Sequence, residues 1–411
     1  MTGAGSTAGP APQAGTASTG GPIPHAAAAH ANDASGTAGA ASSGALSLED
    51  LDYQLPESLI AQHPADPRDA SRLLAYTRSD GRLEDRVFAD LPGLLRRGDV
   101  LVRNDTRVFP ARTFFRRATG GRIEALFLRP SGAPSPAPAA ATATAGPRTE
   151  EWEVLLRGRP RRGEVLSSET LGDAWSLACA SPFGDGRWLV RSHGERSVLD
   201  LLEEAGVTPL PPYIHEDLSD SERYQTTYAR VVGSAAAPTA GLHFTPELDA
   251  ALAGAGVTVE TVTLHVGLGT FKPLREETLA AGRLHGESYE VDAAVWARLL
   301  AARAEGRRVV AVGTTSMRTL EHLARTAGGC DAPPAGTAAG AVLRGETALF
   351  ISPGFEFRVV DALITNFHLP RTSLLALVMA FCGVAETRRL YAHAVRDGYR
   401  FYSFGDAMLA L

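Results

Sequence analysis

Residues Val231 to Thr270 read VVGSAAAPTAGLHFTPELDAALAGAGVTVETVTLHVGLGT, and they decide how the rest of the chain is organised. Thr245 stands where a helix N-cap is expected, with Pro246 at the first helical position and Glu247 in the first turn. Leu248, Ala251, Leu252 and Ala255 recur at helical spacing, and Gly254 or Gly256 ends the run. Thr258 to Leu264, rich in valine and threonine, is a strand that delivers His265 and the Gly267-Leu268-Gly269 turn to its carboxyl end. In open α/β sheets ligands gather at that end. Before the helix, Ala235 to Ala237 carry no bulk, so the backbone of Pro238-Thr239-Ala240-Gly241 can lie close to a ligand, with Gly241 taken to supply unusual backbone freedom. His243 and His265 flank the helix-strand unit. Either imidazole alone is as simply a buried structural group. Two of them beside glycine-rich turns make a candidate site.

Working outward, strand-then-helix alternation continues. A helix is expected from Ala293 to Glu305, closed by Gly306, then a buried strand at Arg308 to Val312. Gly313-Thr314-Thr315-Ser316 follow at the start of the next helix. Backbone N–H groups and the helix dipole there suit a carboxylate or phosphate, although hydroxyl caps are also ordinary. Leu363 to Pro370 is another strand ending in Asn366 and His368, and the apolar helix after Thr372 must be buried. Upstream, Asp99 to Val102 is a strand leading into Asn104-Asp105-Thr106-Arg107 and on to Arg112. That segment is either a hydrogen-bonding loop or a capped turn with an ion pair.

Between Thr113 and Ser192 the pattern changes to short alternating runs, Ile123 to Leu128, Trp152 to Leu156 and Trp188 to Val190, separated by turn residues. This is the pattern of a small antiparallel barrel. The expected architecture is α/β: a larger mixed-sheet domain, residues 47–112 and 197–411, with an inserted barrel-like domain at 113–196. Residues 1–46, with Asp33 as the only charged side chain, are expected to be a disordered tail, and the alanine- and proline-rich stretch 131–149 a mobile hairpin loop.

The net charge of −6 disfavours nucleic acid overall, yet fourteen arginines face six acids between Arg96 and Arg162. A local patch of this kind can bind phosphates. Lys272 is the only lysine, so arginine preference as such carries little weight. The cysteines Cys179, Cys330 and Cys382 are far apart, which argues for a reducing cytosol and against a disulfide framework or zinc site. The longest apolar run, Leu374 to Cys382, is too short to span a bilayer. GxxxxGK[ST], GxGxxG, HExxH and GxSxG are all absent from the sequence.

Taken in order, LPESLIAQHP and RDASRLL (Leu55 to Leu74), NDTRVFPAR (Asn104), PLPPYI (Pro209), YQTTYA (Tyr224) and AAPTAGLHF (Ala236) form one set of motifs. TLHVGLGTFKPL (Thr263), LHGESYEV (Leu284), AVGTTSMRTLE (Ala311), PGFEF (Pro353), VDALITNFHLPRTSLL (Val360) and YRFYSFGDAML (Tyr399) complete it. The chain after residue 47 thereby resembles the S-adenosylmethionine:tRNA ribosyltransferase-isomerase family of queuosine biosynthesis. Ser352, the Thr372-Ser373 order and Asp105 depart from the family's usual residues.

The resemblance implies a cytoplasmic enzyme, monomeric and without metal. It would move the ribosyl group of S-adenosylmethionine to 7-aminomethyl-7-deazaguanine in a tRNA anticodon, giving epoxyqueuosine and releasing adenine and methionine. His243, His265 and Glu287 are then the candidates for base and acid. Asp105, Thr106, Arg107 and Arg112 would hold ribose hydroxyls or a tRNA phosphate, and Gly313 to Ser316 the methionine carboxylate. Pro238, Thr239, Gly241, Gly267, Gly269, Asn366 and His368 complete the expected binding set. The alternatives are an enzyme of this architecture acting on a small deazapurine, and a non-catalytic RNA-binding protein.

Overall fold

A computed structural model describes residues 46–131, 148–216, 218, 220–267, 273–326 and 340–411. The expected tail, most of the 131–149 loop, Gly269, Lys272 and Cys330 lie outside the described residues. In chain order the strands are Arg72–Thr77 (β1), Arg82–Val87 (β2), Val100–Asn104 (β3), Thr106–Val108 (β4), Arg112–Arg117 (β5), Arg122–Pro130 (β6), Arg148–Arg157 (β7), Val165–Ser168 (β8) and Gly172–Gly184 (β9). They continue with Arg187–Gly194 (β10), Val231–Ser234 (β11), Thr258–Leu264 (β12), Arg283–Asp292 (β13), Val309–Val312 (β14), Val342–Leu349 (β15), Ala362–Asn366 (β16) and Ala407–Ala410 (β17).

Among the described residues nine of these form one mixed sheet in the order β15-β13-β12-β3-β14-β16-β17-β1-β2. Its centre, β12-β3-β14-β16, is parallel throughout. Parallel strands are covered on both faces, which is why Val309 to Val312 is apolar without alternation. Val309 and Ala311 pack with Trp296, Leu299, Met317 and Leu320 of the helices Ala293–Ala304 and Gly313–Thr326. Val310 and Val312 face Phe88, Leu248 and Leu252 on the other side. Truncating a fully buried side chain such as Leu320 to alanine should cost about 2–5 kcal/mol.

The segment quoted first folds as its residues dictate. Thr245 accepts from Leu248 N at 3.1 Å, Pro246–Gly254 is helical, and the strand runs Thr258–Leu264. The alternating runs close into a barrel, β10-β7-β6-β5-β8-β9, around Phe115, Phe127, Trp152 and Trp175. Its near end meets the large sheet, where Arg129 of β6 pairs with Glu346 of β15 at 2.7 Å. Sequence spacing alone placed the α/β and all-β parts because period 2 and period 3.6 alternate so distinctly here.

Candidate active site

Because β12, β3, β14 and β16 are parallel neighbours, the residues that follow them emerge along one edge of the sheet. These are His265, Asn104-Asp105-Thr106, Gly313 to Ser316, and Asn366 to His368. Asn104, fully buried, fastens this edge. Its Oδ1 accepts from the backbone N–H of Leu264 (3.0 Å) and Thr106 (3.1 Å), and its Nδ2 donates to Leu264 O (2.9 Å) and Thr315 Oγ1 (3.4 Å).

His265 has its Nδ1 2.9 Å from Thr106 Oγ1, and that hydroxyl lies 3.4 Å from Val231 O. If the hydroxyl donates to the carbonyl, it must accept from Nδ1–H. In that tautomer Nδ1 carries the proton and Nε2 the lone pair. Nε2 has no hydrogen-bond partner among the described residues. Burial lowers the ring's pKa below its ordinary value, against the pull of the Glu290 and Asp105 carboxylates. Gly233 admits the ring: a Cβ there would lie 2.6 Å from His265 Cε1.

His243 is different. Its Nδ1 is 2.7 Å from Ser71 Oγ, and Asn366 Nδ2 stands 3.2 Å from its Nε2. The ring stacks on Phe88 with centroids 4.8 Å apart. Burial, helped by the Arg400 and Arg68 guanidiniums, pushes its pKa down to about 3. Both nitrogens are engaged and the ring is neutral at pH 7. His243 is tied to Asn366 at the end of β16, whereas His265 follows β12, three strands away in the sheet, and among the described residues the two rings share no hydrogen-bond partner.

Around β16, Thr239 donates to Asn366 Oδ1 (3.3 Å), and Asn366 Nδ2 also donates to Tyr402 O (3.0 Å). A crevice here is lined by Tyr213, Thr239, Asn366, His368, Tyr402 and Ser403. His243 lines a neighbouring one with Arg68 and Phe404, and His265 lines neither. His368 is held by Thr365 Oγ1 at 2.8 Å, and burial pushes its pKa down to about 3. Tyr402 has φ +74, a left-handed backbone uncommon for a bulky residue, and its buried hydroxyl lacks a partner.

The helix Gly313–Thr326 begins with Gly313 at φ +83, and Thr314, Thr315 and Ser316 are buried beneath the edge. Ser316 Oγ is buried with no hydrogen-bond partner. Glu287, expected as an acid or base, instead pairs with the buried Arg318 guanidinium and accepts from Gly267 N at 3.0 Å. That is a positioning arrangement. Asp105 is likewise occupied, by Arg230 (2.7 Å) and Thr263 Oγ1 (2.6 Å). Arg107 pairs with Glu222, and Arg112 lies on β5 with its Nε 3.4 Å from Glu124. Neither joins the edge cluster.

One reading is corrected. Gly241 does not adopt a left-handed backbone; glycine is needed because a Cβ would lie 2.1 Å from Tyr228 Oη. Of the two readings of Asn104 to Arg107, the ion-paired one is found: Asn104, Asp105 and Thr106 are buried and Asp105 pairs with Arg230. Sequence reasoning gave Ser71 and Tyr402 no role and took Asn104 only as part of the segment to Arg107. Asn104 sits directly before Asp105 at a strand end, where a carboxamide can tie two chain ends, but a strained tyrosine has no sequence signature. Among the described residues Asp85, His393 and Asp397 converge, yet Arg72, Arg396 and the Tyr399 hydroxyl already occupy those carboxylates.

The sequence matches the family model described as queuosine biosynthesis protein over residues 48–410. It is 49% identical to the S-adenosylmethionine:tRNA ribosyltransferase-isomerase of Rubrobacter xylanophilus, covering 89% of this chain and 98% of that one. It is 47% identical to the protein of the same name from Moorella thermoacetica, covering 89% and 100%. A crystal structure of S-adenosylmethionine tRNA ribosyltransferase from Thermotoga maritima aligns at 34% identity with a TM-score of 0.48, covering 88% of this chain and 100% of that one. With a family match that spans nearly every residue of the sheet and barrel, the chain belongs to the queuosine biosynthesis protein family.

Proposed function

We infer that this chain is a transferase that moves and isomerises the ribosyl group of S-adenosylmethionine onto 7-aminomethyl-7-deazaguanine in tRNA, forming epoxyqueuosine and releasing adenine and methionine. Relatives at 47–49% identity bear the matching enzyme name. The single observation that carries the mechanism is the carboxyl edge of β12-β3-β14-β16, along which an imidazole with an unpartnered nitrogen and a helix N-terminus both lie.

A sulfonium acidifies the ribose carbon bonded to it, so a neutral imidazole can take a proton there. His265 Nε2 is the base in this reading, because its other nitrogen is fixed by Thr106. The N–H groups of Gly313 to Ser316, with the unpartnered Ser316 hydroxyl, suit the methionine carboxylate. The crevice lined by Tyr213, Asn366, His368 and Tyr402 offers aromatic and hydrogen-bonding groups to the adenine. Glu287 and Arg318 hold the Gly267 turn, and Asp105 holds Arg230.

Division into an α/β domain (47–112 and 197–411) and an inserted barrel domain (113–196), a monomeric state, cytoplasmic placement and operation without metal belong to the same proposal. No helix among the described residues is long and apolar enough to cross a membrane. Mass spectrometry of nucleosides from tRNA incubated with enzyme and S-adenosylmethionine tests it. Epoxyqueuosine with stoichiometric adenine is expected; modification of the free deazapurine but not of tRNA would favour the small-molecule alternative.

A further inference from the structure

We propose that the tip of the loop that crosses the barrel end from β7 to β8, Arg157 to Gly163, is a preorganised contact for the sugar-phosphate backbone of the tRNA stem. The proposal rests on the tRNA reading above. Most of the arginine-rich window is spent internally: Arg103 pairs with Asp249, Arg107 with Glu222, Arg116 and Arg122 with Glu169, Arg117 with Glu164, and Arg129 with Glu153 and Glu346. At the tip the pattern reverses. Arg157 is 71% exposed and keeps one long ion pair, 3.7 Å, to Glu124, while the exposed Arg159, Arg161 and Arg162 have no carboxylate partner among the described residues. Four guanidiniums thus sit within six residues.

The tip is also held in shape. Arg117 donates to the carbonyls of Gly158 and Arg159, the latter at 2.9 Å, and Arg161 N donates to Glu164 Oε2 at 2.7 Å. A Cβ at Gly158 would meet Ile123 Cδ1 at 2.5 Å, so this strand end lies flush on the barrel. Arg159 is fixed at φ +54, a backbone that non-glycine residues seldom keep unless their surroundings enforce it. Fixing the loop in advance lowers the ordering cost of each phosphate contact.

Placement agrees with a stem contact. β5 leaves the sheet at Arg112 and reaches Arg117 five residues later, about 17 Å away. Arg116 pairs in register with Arg122, and Glu124 with Arg157, so the tip lies at the barrel end opposite the Arg129–Glu346 junction. Among the described residues this end exposes isolated apolar side chains, Val165 and Phe183, rather than the packed apolar core of a protein interface.

The test compares the full-length enzyme with the triple variant R159S/R161S/R162S on tRNA bearing the deazaguanine base. The variant's KM for tRNA should rise about tenfold or more at physiological salt, with kcat at saturating tRNA and affinity for S-adenosylmethionine unchanged. Three lost phosphate contacts should also flatten the salt dependence: between 50 and 200 mM salt the wild type should lose about 20- to 40-fold more tRNA affinity than the variant. An unchanged KM and salt slope, with wild-type turnover intact, would overturn the tip assignment and leave the functional reading standing. A wild-type enzyme that modifies the free deazapurine but no tRNA would instead overturn the functional reading, and the tip's assignment with it.

Discussion

Thr106 Oγ1 lies 2.9 Å from His265 Nδ1, and as an acceptor it would hold the proton on that nitrogen. Replacing Thr106 with valine keeps the shape and removes the acceptor. The ring then loses its fixed tautomer, and kcat should fall about 10- to 100-fold while KM for S-adenosylmethionine stays within about twofold. Steady-state kinetics on the folded variant check this; a KM effect without a kcat effect would assign Thr106 to binding.

Two buried histidines make the fold acid-sensitive. His243 and His368 have pKa values pushed down to about 3 by burial, against 6.5 for an ordinary ring. Below pH 6.5 the unfolded chain takes up protons that the folded chain refuses until about pH 3. The stabilisation is therefore complete above pH 6.5 and is lost as pH falls through that window. Each histidine should remove about 2 kcal/mol between pH 6.5 and 4.5. Urea denaturation at pH 7, 5.5 and 4.5 should show a clearly shallower pH dependence in H243N/H368N than in the wild type.

Glu287→Gln should leave the Arg318 guanidinium buried without its counter-charge, at a cost of about 3–5 kcal/mol in chemical denaturation. Pairing it with Arg318→Met should recover much of that loss. If Glu287 acts through its contacts to Gly267 and Arg318, any activity left in E287Q should keep the wild-type pH profile. Disappearance of one limb of the profile would restore Glu287 as an acid or base.

Gly241→Ala drives a methyl to 2.1 Å from Tyr228 Oη and should cost about 1–3 kcal/mol. Tyr228→Phe removes the nearest atom, and its buried hydroxyl has no hydrogen-bond partner, so that change alone should cost little. A double-mutant cycle should show a coupling of at least 0.5 kcal/mol; additive effects would contradict the steric account.

The sheet was legible because each central element carries local signals that agree. Thr245-Pro246 starts one helix, Thr372 caps another by accepting from Leu375 N, and the apolar run Val309 to Val312 can only be buried on both sides. Parallel pairing then brings His265, Gly313 and Asn366 to one edge, as strand ends in such sheets require. What sequence could not supply was pairing between distant side chains. Glu287 and Asp105 are chemically competent carboxylates, and only the fold reveals that Arg318 and Arg230 already occupy them. His243 and His265 are equivalent as letters, yet Asn366 stands at Nε2 of one while Nε2 of the other has no hydrogen-bond partner among the described residues. The arginine window was visible as composition, but its division into paired side chains and a bare tip depended on barrel register.

Single-turnover release of adenine from S-adenosylmethionine, with saturating tRNA acceptor, most directly tests whether His265 takes the ribose proton. His265→Gln should slow release by about 10²- to 10⁴-fold, whereas His243→Gln, measured at a temperature where it is folded, should slow it far less. Release at the wild-type rate from the His265 variant would contradict the account.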